Sequence, residues 1–322
     1  MSKKKIITII QIVFLVGPVL WLLFAVDYKG VFAALKSLDA SLILFLFAVV
    51  FVRFILQSVR FWVLTMPFSK KIKFGELILL DWKARYYSVI MPSSAGQDIT
   101  RGVLLKKYLS IAEIAALTIF FRITGIITLI FLSVFGFFRL YSHAEISIAA
   151  ISVGILFLLI CFAMAILLSE KAMLKILSLL PEKTPAKITS FLINASKSMQ
   201  LYKKYPKLAV FNLFFATSLH LLFLVFPLVA IYAVCGEWYV LEVLAFFPLI
   251  ELVAAAIPFL PNGAGVREVS VMLFFEYISA TREQAFSYIT ISVILYLMLF
   301  LGFFAVLFDK IRKKFALTKD GK

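Results

Sequence analysis

Two polar stretches set in an otherwise apolar chain carry the residues that could do chemistry. The first, Pro92–Arg101, holds Gly96, Asp98 and Arg101; the second, Pro261–Glu268, holds Gly263, Gly265, Arg267 and Glu268. Both read Pro-x-x-Ala-Gly-x-charge at a constant offset of 169 residues, and Leu104 and Tyr108 fall on Leu273 and Tyr277 at the same offset. A proline drives the residue before it out of the helical region, and glycine lets a ligand approach the backbone. The helix that follows presents free N–H groups and the positive end of its dipole, which suits an anion. The matched charges have opposite signs, Asp98 and Arg267. A headgroup carrying both signs would fit: its phosphate on Arg267, Arg122 or a helix N-terminus, its amine on Asp98 or Glu251. A polyprenyl phosphate would use only the cationic half. Two structural alternatives stand beside this reading. Asp98 and Arg101 are one helical turn apart and can satisfy each other, and Glu251 can lock Arg267. Glu113, near a water interface, reads as structural, and His220 as a hydrogen-bonded core histidine.

The elements that must position these residues are membrane spans. The chain has 322 residues, 63% of them hydrophobic, against about 45–50% in soluble domains. Apolar runs predict spans at Ile6–Val26 (with Pro18 as a kink), Ser41–Leu64, Ile111–Phe138, Ile146–Leu168, Leu208–Val234 and Gln284–Phe308. Arg53 and Arg60 fall in the second, where Arg60 can snorkel to the cytoplasmic end. Between the spans, residues 74–108 and 243–277 read as two helical hairpins broken at the polar stretches. The first carries Glu76, Asp81, Lys83 and Arg85, too many charges for a lipid-facing helix and suited to a wet cavity. The expected fold is therefore an all-α polytopic membrane protein, with about six transmembrane helices plus two re-entrant hairpins related as an inverted repeat. Such repeats place a site near the midplane. Hairpins running as full crossings would satisfy the same charge bias.

The division expected is a single integral membrane domain over 1–322. Residues 1–168 form a first half with hairpin 74–108, residues 169–207 a basic cytoplasmic linker, and residues 208–322 a second half with hairpin 243–277. Lys and Arg number 33 against 17 Asp and Glu, and they concentrate where loops would face the cytoplasm. That predicts a multi-pass plasma-membrane protein with both termini inside. Membrane topology explains the net charge of +16 without nucleic acid. Leucines and isoleucines interleaved with the lysines of 169–207 suit the anionic inner leaflet. Cys161 and Cys235 have neither disulfide nor zinc spacing and read as packing residues. No Ser/His/Asp set, HExxH or P-loop is present, and the Gly263–Gly265 pair lacks the strand–turn–helix context of a dinucleotide site. No cofactor and no metal is expected. Any long apolar span could make a homodimer face.

At these residues the chain resembles the lysylphosphatidylglycerol synthase transmembrane-region family, whose members are flippase-like. Pro92, Ser93, Gly96, Asp98 and Arg101 match a motif like Pro-Ser-x-x-Gly-Gly-Asp-x-x-Arg, with Gln97 in place of the second glycine. Pro261, Gly265, Arg267 and Glu268 match Pro-x-x-x-Gly-x-Arg-Glu, and Arg122 and Gly125 match a third motif in which Phe121 replaces a common acid. The resemblance implies a membrane domain that binds or moves a phospholipid: phosphatidylglycerol, an aminoacylated or zwitterionic lipid, or a polyprenyl phosphate. Two-domain members add a soluble synthase domain. None follows the last span here, so phosphatidylglycerol lysyltransferase activity is expected to be absent and the protein is not expected to be an enzyme. The candidate binding residues are Gly96, Asp98, Arg101, Arg122, Glu251, Gly263, Gly265, Arg267 and Glu268. Rival readings are a subunit presenting a lipid to a partner enzyme, a lysyltransferase-family member lacking synthase activity, and an ion-coupled transporter of a small solute.

Overall fold

The computed structural model describes residues 39–68, 72–90, 96–140, 144–169, 171–172, 175, 178, 186–256, 265–292 and 302–308. The first predicted span with its Pro18 kink, the two hairpin tips with Gly263, and the lysine-rich tail lie outside the described residues. Within them the chain is helical and no strand is present. The helices are α1 (Ala40–Val63), α2 (Phe74–Ile90), α3 (Gly96–Leu105), α4 (Ile111–Arg139), α5 (Ala144–Leu168), α6 (Ala186–Lys204), α7 (Pro206–Cys235), α8 (Val240–Ala256) and α9 (Val266–Tyr277). Helical segments 282–292 and 302–308 follow. Among the described residues, four helices are long and apolar enough to cross a membrane: α1, α4, α7 and the Ile151–Leu168 part of α5. The protein is an all-α polytopic membrane protein.

Local sequence explains the ends. Asp39 caps α1 by accepting a hydrogen bond from the Ser41 N–H at 3.0 Å. Ser110 and Glu113 make a reciprocal capping box at the start of α4, with bonds of 3.3 and 2.8 Å, so Glu113 has the structural role that its position implies. Pro206 opens α7 at its first turn, where its missing N–H costs nothing, and Gly236 closes it at φ 77°. At 10 and 12 residues, α3 and α9 fall well short of the roughly 20 that a spanning helix needs.

Helix α4 is the centre of the fold, packing on α3, α5, α6, α7 and α8. Its crossing with α8 is unusually close: a Cβ built on Gly136 would lie 2.5 Å from the Ala245 backbone nitrogen. The last helical segment meets α2 in the same manner, with a Cβ on Gly302 running into the Trp82 carbonyl oxygen. Small residues serve such contacts because lipid supplies no hydrophobic force between helices, so packing must. We predict that Gly136→Val costs more than about 2 kcal/mol by overpacking. The readout is thermal unfolding of the detergent-solubilised protein, and a variant melting with wild type would show that the two backbones part freely.

The basic stretch 169–207 contains a helix with one face docked on the bundle. Ala195, Met199 and Tyr202 of α6 are buried at helical spacing. Tyr202 stacks on Phe120 of α4 at 4.0 Å and its hydroxyl donates to the Leu64 carbonyl at 2.9 Å. Burial in that apolar contact raises the Tyr202 pKa, so the hydroxyl stays a donor. Lys197, Lys203 and Lys204 remain on the outside of the helix.

Candidate functional site

Asp81 and Arg85, which the sequence suggests for a wet cavity, are instead enclosed in the bundle because each finds a charged partner there. Asp81 of α2 is 0% exposed. Its carboxylate accepts from Ser58 Oγ at 2.6 Å, Arg85 Nη2 at 3.0 Å, Arg101 Nε at 2.9 Å and Gln97 Nε2 at 3.4 Å. A buried charge survives only if paired and hydrogen-bonded, and Asp81 is both. Arg101, 1% exposed, sits over the Phe61 ring at 4.2 Å and reaches onward to Asp98 at 3.0 Å. Asp98 in turn receives Arg122 of α4. The chain Arg85–Asp81–Arg101–Asp98–Arg122 ties α2, α3 and α4 together. Arg122, beside Phe121, thus meets an acid that comes from α3.

The second pair joins α8 to α9. Arg267 donates to Glu251 from Nε at 2.9 Å and Nη2 at 3.1 Å, a two-pronged pairing of guanidinium and carboxylate. The expected open N-terminus of α9 is otherwise occupied. Glu268 accepts from the Gly265 N–H at 2.6 Å, which is half of a capping box; glycine has no side chain to supply the other half. Gly265, at φ 88°, has a conformation suited to glycine. An external anion finds that N–H taken by the chain's own carboxylate. Gly96, the other matched glycine, is buried as the first residue of α3.

These groups converge on one cavity of about 440 Å³. Gln97, Asp98 and Arg101 of α3, Arg122 and Gly125 of α4, and Glu251 of α8 line it, together with Gln57 and Arg60 of α1 and His220 of α7. Its remaining wall is apolar: Ile126, Leu129 and Ile130 of α4, Leu156 and Ile160 of α5, and Leu252 and Ala255 of α8. Four predicted residues therefore share one space, Asp98, Arg101, Arg122 and Glu251. Arg267 and Glu268 instead line a narrow crevice behind Glu251, with Ile250 and Tyr288. Arg122 is more open than its partner, its side chain 38% exposed against 14% for Asp98. Among the described residues no cluster of His, Cys, Asp or Glu could hold a metal ion.

Two sequence expectations are corrected. Arg60 does not snorkel. It turns inward to 4% exposure, donating from Nε to Asn212 at 2.8 Å and from Nη2 to Thr124 at 2.7 Å and the Phe121 carbonyl at 3.0 Å. The offered oxygens, with the Phe121 ring at 4.3 Å, hold it better than a stretched path to water would. His220 is not satisfied within the core either: its Nε2 is buried without a hydrogen-bond partner among the described residues. Gln97 of the cavity lining, and Ser58 and Asn212 behind it, are missed by the sequence.

Comparison with known proteins bears on this site. The family described as the lysylphosphatidylglycerol synthase TM region matches residues 8–303. No curated protein and no solved structure matches the chain.

Proposed function

The chain belongs to the lysylphosphatidylglycerol synthase TM region family, and from that premise we propose that it is a lipid flippase or scramblase with no enzymatic step. One observation carries the reading: a single cavity with an ionic floor and an apolar wall. An amphiphile needs that combination, with the headgroup on Asp98, Arg122 and Glu251 and the first acyl carbons on Ile126, Leu129 and Leu156. A small soluble solute would have no use for the apolar side. The substrate class is a phospholipid such as phosphatidylglycerol or its aminoacyl ester, or a polyprenyl phosphate.

In this reading α2–α3 and α8–α9 are re-entrant hairpins entering from opposite faces of the plasma membrane, related as an inverted repeat. The second arms are too short to cross, and the close packing is reciprocal. Helix α4 of the first half meets α8 of the second at Gly136, and the last segment of the second half meets α2 of the first at Gly302. Both termini and the lysine-bearing stretch 169–207 lie on the cytoplasmic side, following the distribution of Lys and Arg.

The test is transport. The purified protein is placed in liposomes containing headgroup-labelled phosphatidylglycerol, its lysyl ester or a polyprenyl phosphate. The inner-leaflet label is expected to become accessible from outside without ATP. Arg267→Ala leaves the Glu251 carboxylate at the cavity edge without its guanidinium. It is expected to slow transport about tenfold or more, since hydrogen bonds to charged groups are worth about 1.5–3 kcal/mol. A wild-type protein that moves none of the three lipids removes the function; an Arg267→Ala protein as fast as wild type removes the second hairpin from it.

A further inference from the structure

The cavity contains two cationic positions of different kinds. Arg101 and Arg122 face carboxylates. Among the described residues Arg60 has none within ion-pair distance, and its hydrogen-bond partners, Asn212, Thr124 and the Phe121 carbonyl, are neutral. A guanidinium has five N–H donors. One bond from Nε and two from Nη2 leave the two on Nη1 without a partner among the described residues, and Arg60 lines the cavity. Asn212, itself 1% exposed, donates to Thr124 at 3.0 Å, so the oxygens that hold Arg60 are held in turn. The cation is clamped in one orientation with one edge left open.

That open edge shares its space with a second unsatisfied group. A Cβ built on Gly125 would stand 3.8 Å from Arg60 Nη1 and 3.8 Å from His220 Nε2. Both nitrogens therefore face one point beside Gly125, and the lack of a side chain on the glycine keeps that point clear. A buried guanidinium with no counter-charge is costly in a membrane, and a buried imidazole nitrogen with no partner adds to the cost. A guest that is anionic and brings acceptor oxygens relieves both at once, with His220 in the tautomer that donates from Nε2.

The geometry points to Arg60, His220 and Gly125 as an oxyanion subsite that takes a phosphate group, the phosphodiester of the headgroup in the proposed lipid. This rests on the cavity's being the lipid site, and it revises where the phosphate goes. Arg122 and Arg267, the cations that the sequence suggests for it, have carboxylates of their own. With the phosphate beside Gly125, the carboxylates of Asp98 and Glu251, each already paired with arginine, line the rest of the same cavity.

The test is binding, measured apart from transport. The full chain in detergent is titrated with short-chain phosphatidylglycerol, with glycerophosphoglycerol as the free diester, and with inorganic phosphate, following ligand-induced thermal stabilisation. Gly125→Ala is the decisive variant. Its added methyl makes only ordinary van der Waals contact, so the unliganded protein should melt with wild type, yet it intrudes on the space that a phosphate oxygen bonded to Arg60 Nη1 and His220 Nε2 would need. Affinity is expected to fall at least tenfold in Gly125→Ala and in Arg60→Gln, and Arg60→Lys should recover part of the loss. Stabilisation by all three phosphates, lost in Gly125→Ala, supports the subsite and assigns it to phosphate in general. Stabilisation by the diesters alone, lost in the same variant, assigns it to a lipid headgroup. Binding that is unchanged in Gly125→Ala, or no stabilisation of wild type by any of the three, overturns it. The two proposals fail separately. A protein that binds phosphate in this Gly125-dependent way but moves no lipid loses the flippase reading and keeps the subsite. If Gly125→Ala moves and binds lipid as well as wild type does, the flippase reading stands and the subsite falls.

Discussion

Asp81→Asn is expected to destabilise the protein more than any other single change in the ionic network, by about 3–5 kcal/mol, the range for breaking a buried ion pair from one side. The carboxylate is wholly enclosed and takes hydrogen bonds from Ser58, Arg85, Arg101 and Gln97. Asparagine is nearly isosteric, so little packing is lost. It removes the charge that compensates two buried guanidiniums, and its NH₂ group would face donors where an acceptor is required. Arg101 would keep Asp98, but Arg85 would lose the Asp81 carboxylate inside the bundle. Because the network spans α1, α2 and α3, the loss falls on how the first hairpin seats against the first described span. The measurement is thermal or denaturant unfolding in detergent beside wild type. An Asp81→Asn protein melting within a degree or two of wild type would mean that water reaches Asp81, and the enclosed network would not stand.

The parts of this structure legible in the sequence are those decided by neighbours in the chain. The spans follow from apolar runs, and the broken helices from the proline–glycine stretches. The Asp98–Arg101 bond joins residues three apart, and the Glu251–Arg267 pair joins consecutive helices 16 residues apart in the chain. Even the Glu268 cap has a local signal, an acid three residues after the residue that opens the helix, which is the capping-box spacing. Reading Gly265 as an open anion site passes over it. Asp81 and Arg60 are out of reach for a different reason. Both are visible as charges in apolar segments, but their partners are set by how each helix is rotated against the next. Arg60 meets Asn212 across 152 residues, and that contact depends on α1 lying along α7. The close Gly136–Ala245 and Gly302–Trp82 approaches that fix such rotations depend on small residues whose role shows only when both helices are placed.

The same distinction between enclosed and cavity-facing charge separates Asp98 from Asp81. Asp98→Asn is expected to reduce lipid transport about 10–100-fold, from the roughly 1.5–3 kcal/mol of a charged hydrogen bond, while leaving a folded protein. Its side chain is 14% exposed and lines the cavity, so water can solvate the guanidinium charge that asparagine no longer neutralises. Arg101 retains Asp81. Arg122, the more exposed partner, loses the Asp98 carboxylate at the wall where a headgroup must pass. If Asp98 acts by holding Arg122, then Arg122→Gln should produce a similar loss, and the double variant should be little worse than either alone, since residues acting as a unit are not additive. If Asp98 instead receives the headgroup's cation directly, Arg122→Gln should be the milder change and the double variant should fall by the product of the two. Either pattern places Asp98 in the transport step. Transport by Asp98→Asn at the wild-type rate, under conditions where Asp81→Asn fails to fold, would confine the whole network to structure and leave Glu251 as the cavity acid open to a headgroup.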